Sequence, residues 1–137
     1  MSGNFTPYAL VADDDGLIRM DAADILEDAG FRVHEAKDVQ QALEIIGEFA
    51  ESIKLLFTDV QMPPSELDGF YLARECASRW PHISIIVASG MKEPKDGDMP
   101  DGARFIHKPF DHNVVYDHLQ EIMPEGQKPE PLSNRAS

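Results

Sequence analysis

The sequence predicts an α/β fold: a three-layer, doubly wound sandwich around a five-stranded parallel sheet. Three observations lead there. Short runs rich in β-branched and aromatic residues recur five times. Segments with helical spacing separate most of them. The runs are also apolar almost throughout rather than alternating, which marks strands buried on both faces. Right-handed crossovers then put helices on both sides of the sheet.

The strands fall at Tyr8–Ala12, Phe31–His34, Leu55–Thr58, Ile83–Ala88 and Arg104–Ile106. Each has the length of a buried strand. After the first comes a helix carrying Leu17, Ile18, Ile25, Leu26 and Ala29, stopped by Gly30. The second helix carries Val39, Ala42, Leu43 and Ile46, with Asp38 as its N-cap. The third carries Phe70, Leu72, Ala73 and Cys76 and is closed by Trp80-Pro81. The last helix runs from Asp111, its N-cap, to Met123, with Val114, Val115, Leu119 and Ile122 facing inward and Pro124 ending it.

One unit breaks the alternation. Between the fourth and fifth strands Pro94, Gly97, Pro100 and Gly102 each oppose a helix interior, so this fourth helix of the pattern is expected to be short or irregular, at most a single turn. Residues 1–124 form the predicted domain, and the Pro-rich, polar stretch 125–137 reads as a disordered C-terminal tail.

Composition narrows the function. The 137 residues suffice for one domain with its own core. Twelve basic and twenty-five acidic residues give a formal charge of -13, which repels nucleic acid and anionic lipid. No apolar run approaches the roughly 20 residues of a membrane span, and the single cysteine, Cys76, has no partner for a disulfide within the chain. With no secretory signal pattern, a soluble, cytoplasmic protein is expected.

Ligands of doubly wound sheets lie beyond the carboxyl ends of the strands. Those ends carry Asp13-Asp14-Asp15, Thr58-Asp59, Ser89-Gly90 and His107-Lys108-Pro109. Taken singly, each set reads as ordinary loop or surface chemistry. Their joint placement points to a site. Three carboxylates in one crevice repel one another unless a hard divalent cation compensates them. Mg²⁺, or Mn²⁺, suits oxygen ligands, with Asp14 and Asp59 direct and Asp13 through water. Lys108 and the Ser89 hydroxyl would neutralise oxygens of a phosphoryl group in transfer, and Asp59, leaving a central strand, is the candidate nucleophile.

These residues resemble the receiver domain of bacterial response regulators. The likeness rests on Val11–Arg19 (VADDDGLIR), Asp59-Val-Gln-Met-Pro63, Asp68-Gly69, Ile85–Gly90 (IIVASG) and Phe105–Phe110 (FIHKPF), and covers residues 8 to about 123. It implies the flavodoxin-like strand order 2-1-3-4-5, an acid pair at Asp13 and Asp14, phosphorylation at Asp59, a switch hydroxyl at Ser89 and a phosphate contact from Lys108. It further implies a metal ligand from the backbone carbonyl of Gln61 and a cis peptide before Pro109. Phe105 falls at the aromatic switch position, and also reads as a plain core aromatic.

Three departures accompany the likeness. Met62–Gly69 is about two residues longer than the usual spacing, the fourth helix is degraded, and about fourteen residues after Met123 leave no room for an output domain. The expected function is a two-component receiver that takes its phosphoryl group from a histidine kinase or histidine phosphotransfer protein and signals to a downstream protein. It would be a monomer or weak dimer, and no enzyme beyond catalysing its own phosphorylation and dephosphorylation. The donor is expected on the first helix, through Ile18, Arg19, Asp21 and Ala22, beside the loop after the fifth strand. Gln61 and Met91 would flank the phosphoryl group, and the thioether cannot orient an attacking water, so slow autodephosphorylation is expected. Two rivals remain: a receiver-like interaction module that is never phosphorylated, and a phosphatase using an aspartyl-phosphate intermediate, although Gln61 stands where such enzymes place a second acid. The five histidines show no metal-ligand spacing.

Overall fold

The structure, a computed structural model, describes residues 6–63, 66–91, 93–129 and 131. Its strands are β1 (Tyr8–Ala12), β2 (Arg32–Ala36), β3 (Ile53–Asp59), β4 (Ser84–Ser89) and β5 (Arg104–His107). They pair in parallel in the order β2-β1-β3-β4-β5. The helices are α1 (Gly16–Asp28), α2 (Val39–Phe49), α3 (Gly69–Arg79) and α4 (His112–Ile122).

Strand alternation divides the core in two. Ala9, Val11, Leu55, Phe57, Ile86, Ala88 and Ile106 face α1 and α4, where they meet Ile25, Leu26, Val115 and Leu119. Leu10, Ala12, Leu56, Ile85 and Val87 face the other way, onto Val39, Ala42 and Ile46 of α2 and Phe70, Leu72 and Cys76 of α3. Two positions differ from expectation. Val114 is 40% exposed because the buried stripe of α4 follows Val115 and Leu119, one residue around the helix. Leu17, in the first turn of α1, is 76% exposed.

An aspartate caps each of the four helices α1 to α4. Asp15 accepts from the amides of Leu17 and Ile18, Asp38 from Gln41, Asp68 from Tyr71 and Asp111 from Val114. Each such cap is worth about 1 kcal/mol. Part of the chain's acidity is therefore structural. At the other end of α1, Gly30 takes φ 109° while its amide bonds Glu27 and that of Phe31 bonds Leu26, a Schellman stop.

Among the described residues no helix lies between β4 and β5, as the four Pro and Gly positions predict. The chain there makes turns instead. The Asp98 amide bonds the Lys95 carbonyl, Gly97 and Gly102 take positive φ, and Arg74 of α3 donates to the Asp98 carbonyl at 2.9 Å. Met99 and Ala103 pack on the α2/α3 side of the core in place of a helix.

Part of the stretch expected as a disordered tail, 125–137, falls within the described residues. Residues Glu125–Gln127 form a 3-10 turn, Lys128 is only 8% exposed and Pro129 is buried. A Cβ built on Gly30 would lie 2.8 Å from Pro129 Cβ and from Pro131 Cδ, so the prolines rest on bare glycine backbone. Proline loses little freedom on docking, which a reading of composition alone overlooks. Residues 130 and 132–137 lie outside the described residues.

Candidate functional site

The parallel register brings the four polar strand ends to one edge. Ala12 stands beside Thr58 and Ala36, Asp59 beside Ala88, and Ser89 beside His107. Asp13 follows β1 directly, its amide donating to the Ala36 carbonyl at 3.0 Å and its Oδ1 accepting from the Asp15 amide at 2.9 Å. Asp15 itself turns away to cap α1 and is not part of the cluster. Asp14 is exposed at the mouth.

Asp59 ends β3 and is 9% exposed. Behind it, Thr58 Oγ1 donates to the Asp59 carbonyl at 2.8 Å, and the Gly69 amide donates to the Val60 carbonyl at 2.7 Å. Gly69 begins α3 flush against that backbone: a Cβ there would lie 1.8 Å from the Asp59 carbonyl oxygen. The sequence shows Asp68-Gly69 as a motif but not this contact, which depends on how the β3–α3 loop closes.

Lys108 joins the acids. Its Nζ donates to Asp13 Oδ2 at 2.8 Å and to Asp59 Oδ1 at 3.0 Å, with its side chain 16% exposed. Its amide bonds the Ser89 carbonyl at 3.0 Å, and the peptide to Pro109 is cis. Ser89 is buried, its Oγ accepting from the Met91 amide at 3.3 Å. Carboxylate oxygens of Asp13, Asp14 and Asp59 all lie within 4.8 Å of one another, a spacing and donor set that fit a hard divalent cation.

The electrostatics carry the mark of this crowding. Burial pushes the Asp59 carboxyl above its ordinary pKa; the Lys108 hydrogen bond opposes the rise and the Asp13 charge adds to it. Burial works against the Lys108 ammonium, but its hydrogen bonds to Asp13 and Asp59 outweigh it and hold the amine above its ordinary value. One cation thus serves two anions, and the cluster keeps a deficit of positive charge.

Gln61 is exposed just past Asp59, on the wall of an open cavity of about 530 Å³ lined also by Asp14, Met62, Pro63, Glu66 and Asp68. Residues 64 and 65 of the lengthened loop lie outside the described residues. Phe105 is half-buried on the α2/α3 side, its ring edge-on to His107 at 5.1 Å. His107 is exposed.

A family profile described as the response regulator receiver domain matches residues 9–120. The chain belongs to that family. The receiver domain is 33% identical over 122 residues to the response regulator receiver protein CpdR of Brucella abortus (strain 2308), covering 87% of this chain and 92% of that protein. It is 32% identical over 126 residues to the sensor kinase CckA of the same organism, covering 90% of this chain but only 13% of the kinase. Among solved structures it resembles a response regulator receiver protein from Sinorhizobium medicae WSM419, with TM-score 0.75 and 26% identity over 85% of this chain and 94% of that one. The receiver domain of NtrX from Brucella abortus gives TM-score 0.69 and 32% identity over 82% and 98%. The receiver domain therefore has the CheY-like, flavodoxin-type fold of two-component response regulators. Among its described residues no helix is long and apolar enough to cross a membrane.

Proposed function

We propose that the domain accepts a phosphoryl group on Asp59 from a phosphohistidine of a histidine kinase or phosphotransfer protein. Mg²⁺ or Mn²⁺ would be held by Asp13, Asp14, Asp59 and the backbone carbonyl of Gln61. The observation that carries this reading is Lys108 Nζ, which reaches from the end of β5 to acids on two other strand ends.

An Asp59 carboxylate oxygen attacks the phosphorus in line, the bond from phosphorus to the donor imidazole nitrogen breaks, and the imidazole leaves with the bond's electrons and takes up a proton. Lys108 and the Ser89 hydroxyl supply donors to the phosphoryl oxygens, and the cation, when bound, neutralises more of their charge. The product is a signalling state read by another protein. As switch residues, Ser89 moves toward the phosphoryl group and Phe105 changes its packing.

The donor face needs one revision. Ala22 is buried and Arg19 is engaged within the domain, so neither is presented to a partner. Ile18 and Asp21 remain, lining a recess of about 240 Å³ with Lys108, Pro109 and Phe110 beside the exposed Leu17 and Met20. We place the phosphoacceptor unit at residues 1–124, in the cytoplasm, without nucleic-acid or membrane partners, as a monomer or weak dimer.

The test is incubation with acetyl phosphate and Mg²⁺, read by intact mass, for the wild type and Asp59→Asn. One phosphoryl group should add to the wild type alone and only with metal. Equal addition to the variant, or none to either, overturns the assignment.

A further inference from the structure

Asp13 is gripped from four sides. Ala36 receives its amide, the Asp15 amide and Lys108 Nζ hold its two carboxylate oxygens, and Arg19 Nη1 donates to its backbone carbonyl at 2.8 Å. Arg19 Nε at the same time donates to Glu35 Oε1 at 2.9 Å. One guanidinium therefore ties α1, the acidic loop and β2 together, three-quarters withdrawn from solvent.

Two nitrogens of one rigid plane meet two acceptors whose positions the sheet already fixes. Asp13 carbonyl and Glu35 are placed by adjacent strands in register, Val11 with Glu35 and Ala12 with Ala36. A lysine has a single head on a flexible stem and cannot hold both acceptors in that geometry. Outer partners of metal-binding carboxylates orient them in this way, and their loss typically weakens metal affinity 10–100-fold.

We infer that Arg19 is a positioning residue: anchored by Glu35, it fixes the Asp13 carbonyl and so aims the Asp13 carboxylate at the divalent-cation site. The inference rests on the phosphoacceptor reading above. Its electrostatic alternative has the opposite sign. Arg19 brings positive charge toward a cation site, so if charge were its only influence, removing it would tighten metal binding. If it positions Asp13, removing it loosens metal binding despite the more favourable field.

The test titrates the full chain with Mg²⁺ alone, following the backbone amide resonances of Asp59 and Gly90, in wild type, Arg19→Met, Arg19→Lys and Glu35→Gln. Urea unfolding of each variant fixes the folded fraction. Arg19→Met should weaken Mg²⁺ binding roughly tenfold, Arg19→Lys should recover little of it, and Glu35→Gln should show a smaller loss in the same direction. Unchanged or tighter binding in folded Arg19→Met overturns the inference, as does full affinity in Arg19→Lys. A wild type with no Mg²⁺ response defeats the phosphoacceptor reading itself; a responsive wild type with unaffected Arg19 variants defeats the clamp alone.

Discussion

Replacing Gly69 with alanine tests whether α3 is seated directly on Asp59. The added Cβ would lie 1.8 Å from the Asp59 carbonyl oxygen and 2.8 Å from its carbonyl carbon. An ordinary carbon–oxygen contact is about 3.3 Å, so one backbone must retreat by about 1.5 Å. Neither obstacle is a side chain that can turn aside. Overpacking of this kind costs about 1–3 kcal/mol and more where strain has no outlet, so a loss of about 2–4 kcal/mol is expected. With a urea slope of about 2 kcal/mol per molar, the unfolding midpoint should fall by about 1–2 M. Phosphorylation of the surviving fold should fall as well, because the retreat moves Asp59 away from Lys108. Gly47→Ala in α2 is the control: no atom lies within 4 Å of its Cβ, so it should be neutral or stabilising by up to about 1 kcal/mol. A Gly69→Ala protein within about 0.5 kcal/mol of wild type, with unaltered phosphorylation, would refute the contact.

Other outcomes follow from the charges. Lys108→Met leaves Asp13 and Asp59 facing each other and should destabilise the metal-free domain by about 1–3 kcal/mol, discounted from a fully buried pair, while abolishing phosphorylation; thermal unfolding and mass spectrometry read the two effects. Because Asp59 has a raised pKa, its ionised form opposes folding at neutral pH, so Asp59→Asn should unfold at higher temperature than wild type without Mg²⁺, and added Mg²⁺ should narrow the gap. His34 is stacked between Tyr8 and Phe49, and burial lowers its pKa against the pull of Glu48. Its stabilising share is whole above about pH 6.5 and is lost as pH falls toward the folded value; urea titrations across that range should flatten in His34→Phe. Met91, 92% exposed two residues past Ser89, should on replacement by asparagine shorten the lifetime of the proposed Asp59 phosphoryl group severalfold in a release assay, and an unchanged lifetime would remove its role.

What the sequence made legible was whatever lies along the chain. Near-continuous apolar runs mark the buried strands, and the strand ends display Asp13, Asp59, Ser89 and Lys108 without any knowledge of contacts. Pro94 and Gly97 disclose the missing helix because each acts on its own backbone. What stayed hidden are relations across the chain. Asp15 stands in the acidic run after the first strand without an assigned role, and its bonds to Leu17 and Ile18 show it to be a helix cap. Arg19 and Ala22 looked like partner contacts because one turn of a helix does not tell which way it rolls on its sheet. Gly30 was readable as a stop, but not as the seat for Pro129 and Pro131, which approach from a hundred residues away.

Among the described residues β5 is the shortest strand, four residues long, and it lies at the sheet's edge, paired to β4 alone. Turns, rather than a helix, lead into it. Yet it delivers the amine that holds Asp13 and Asp59 together. The acids stand on the inner strands β1 and β3, while their counter-charge rides on the margin of the sheet. Edge segments open at lower free energy than interior ones, so an opening of this margin would withdraw the amine and leave the acids in place. For the cation site proposed above, hydrogen exchange at Ile106 would then report how often Asp59 loses its counter-charge.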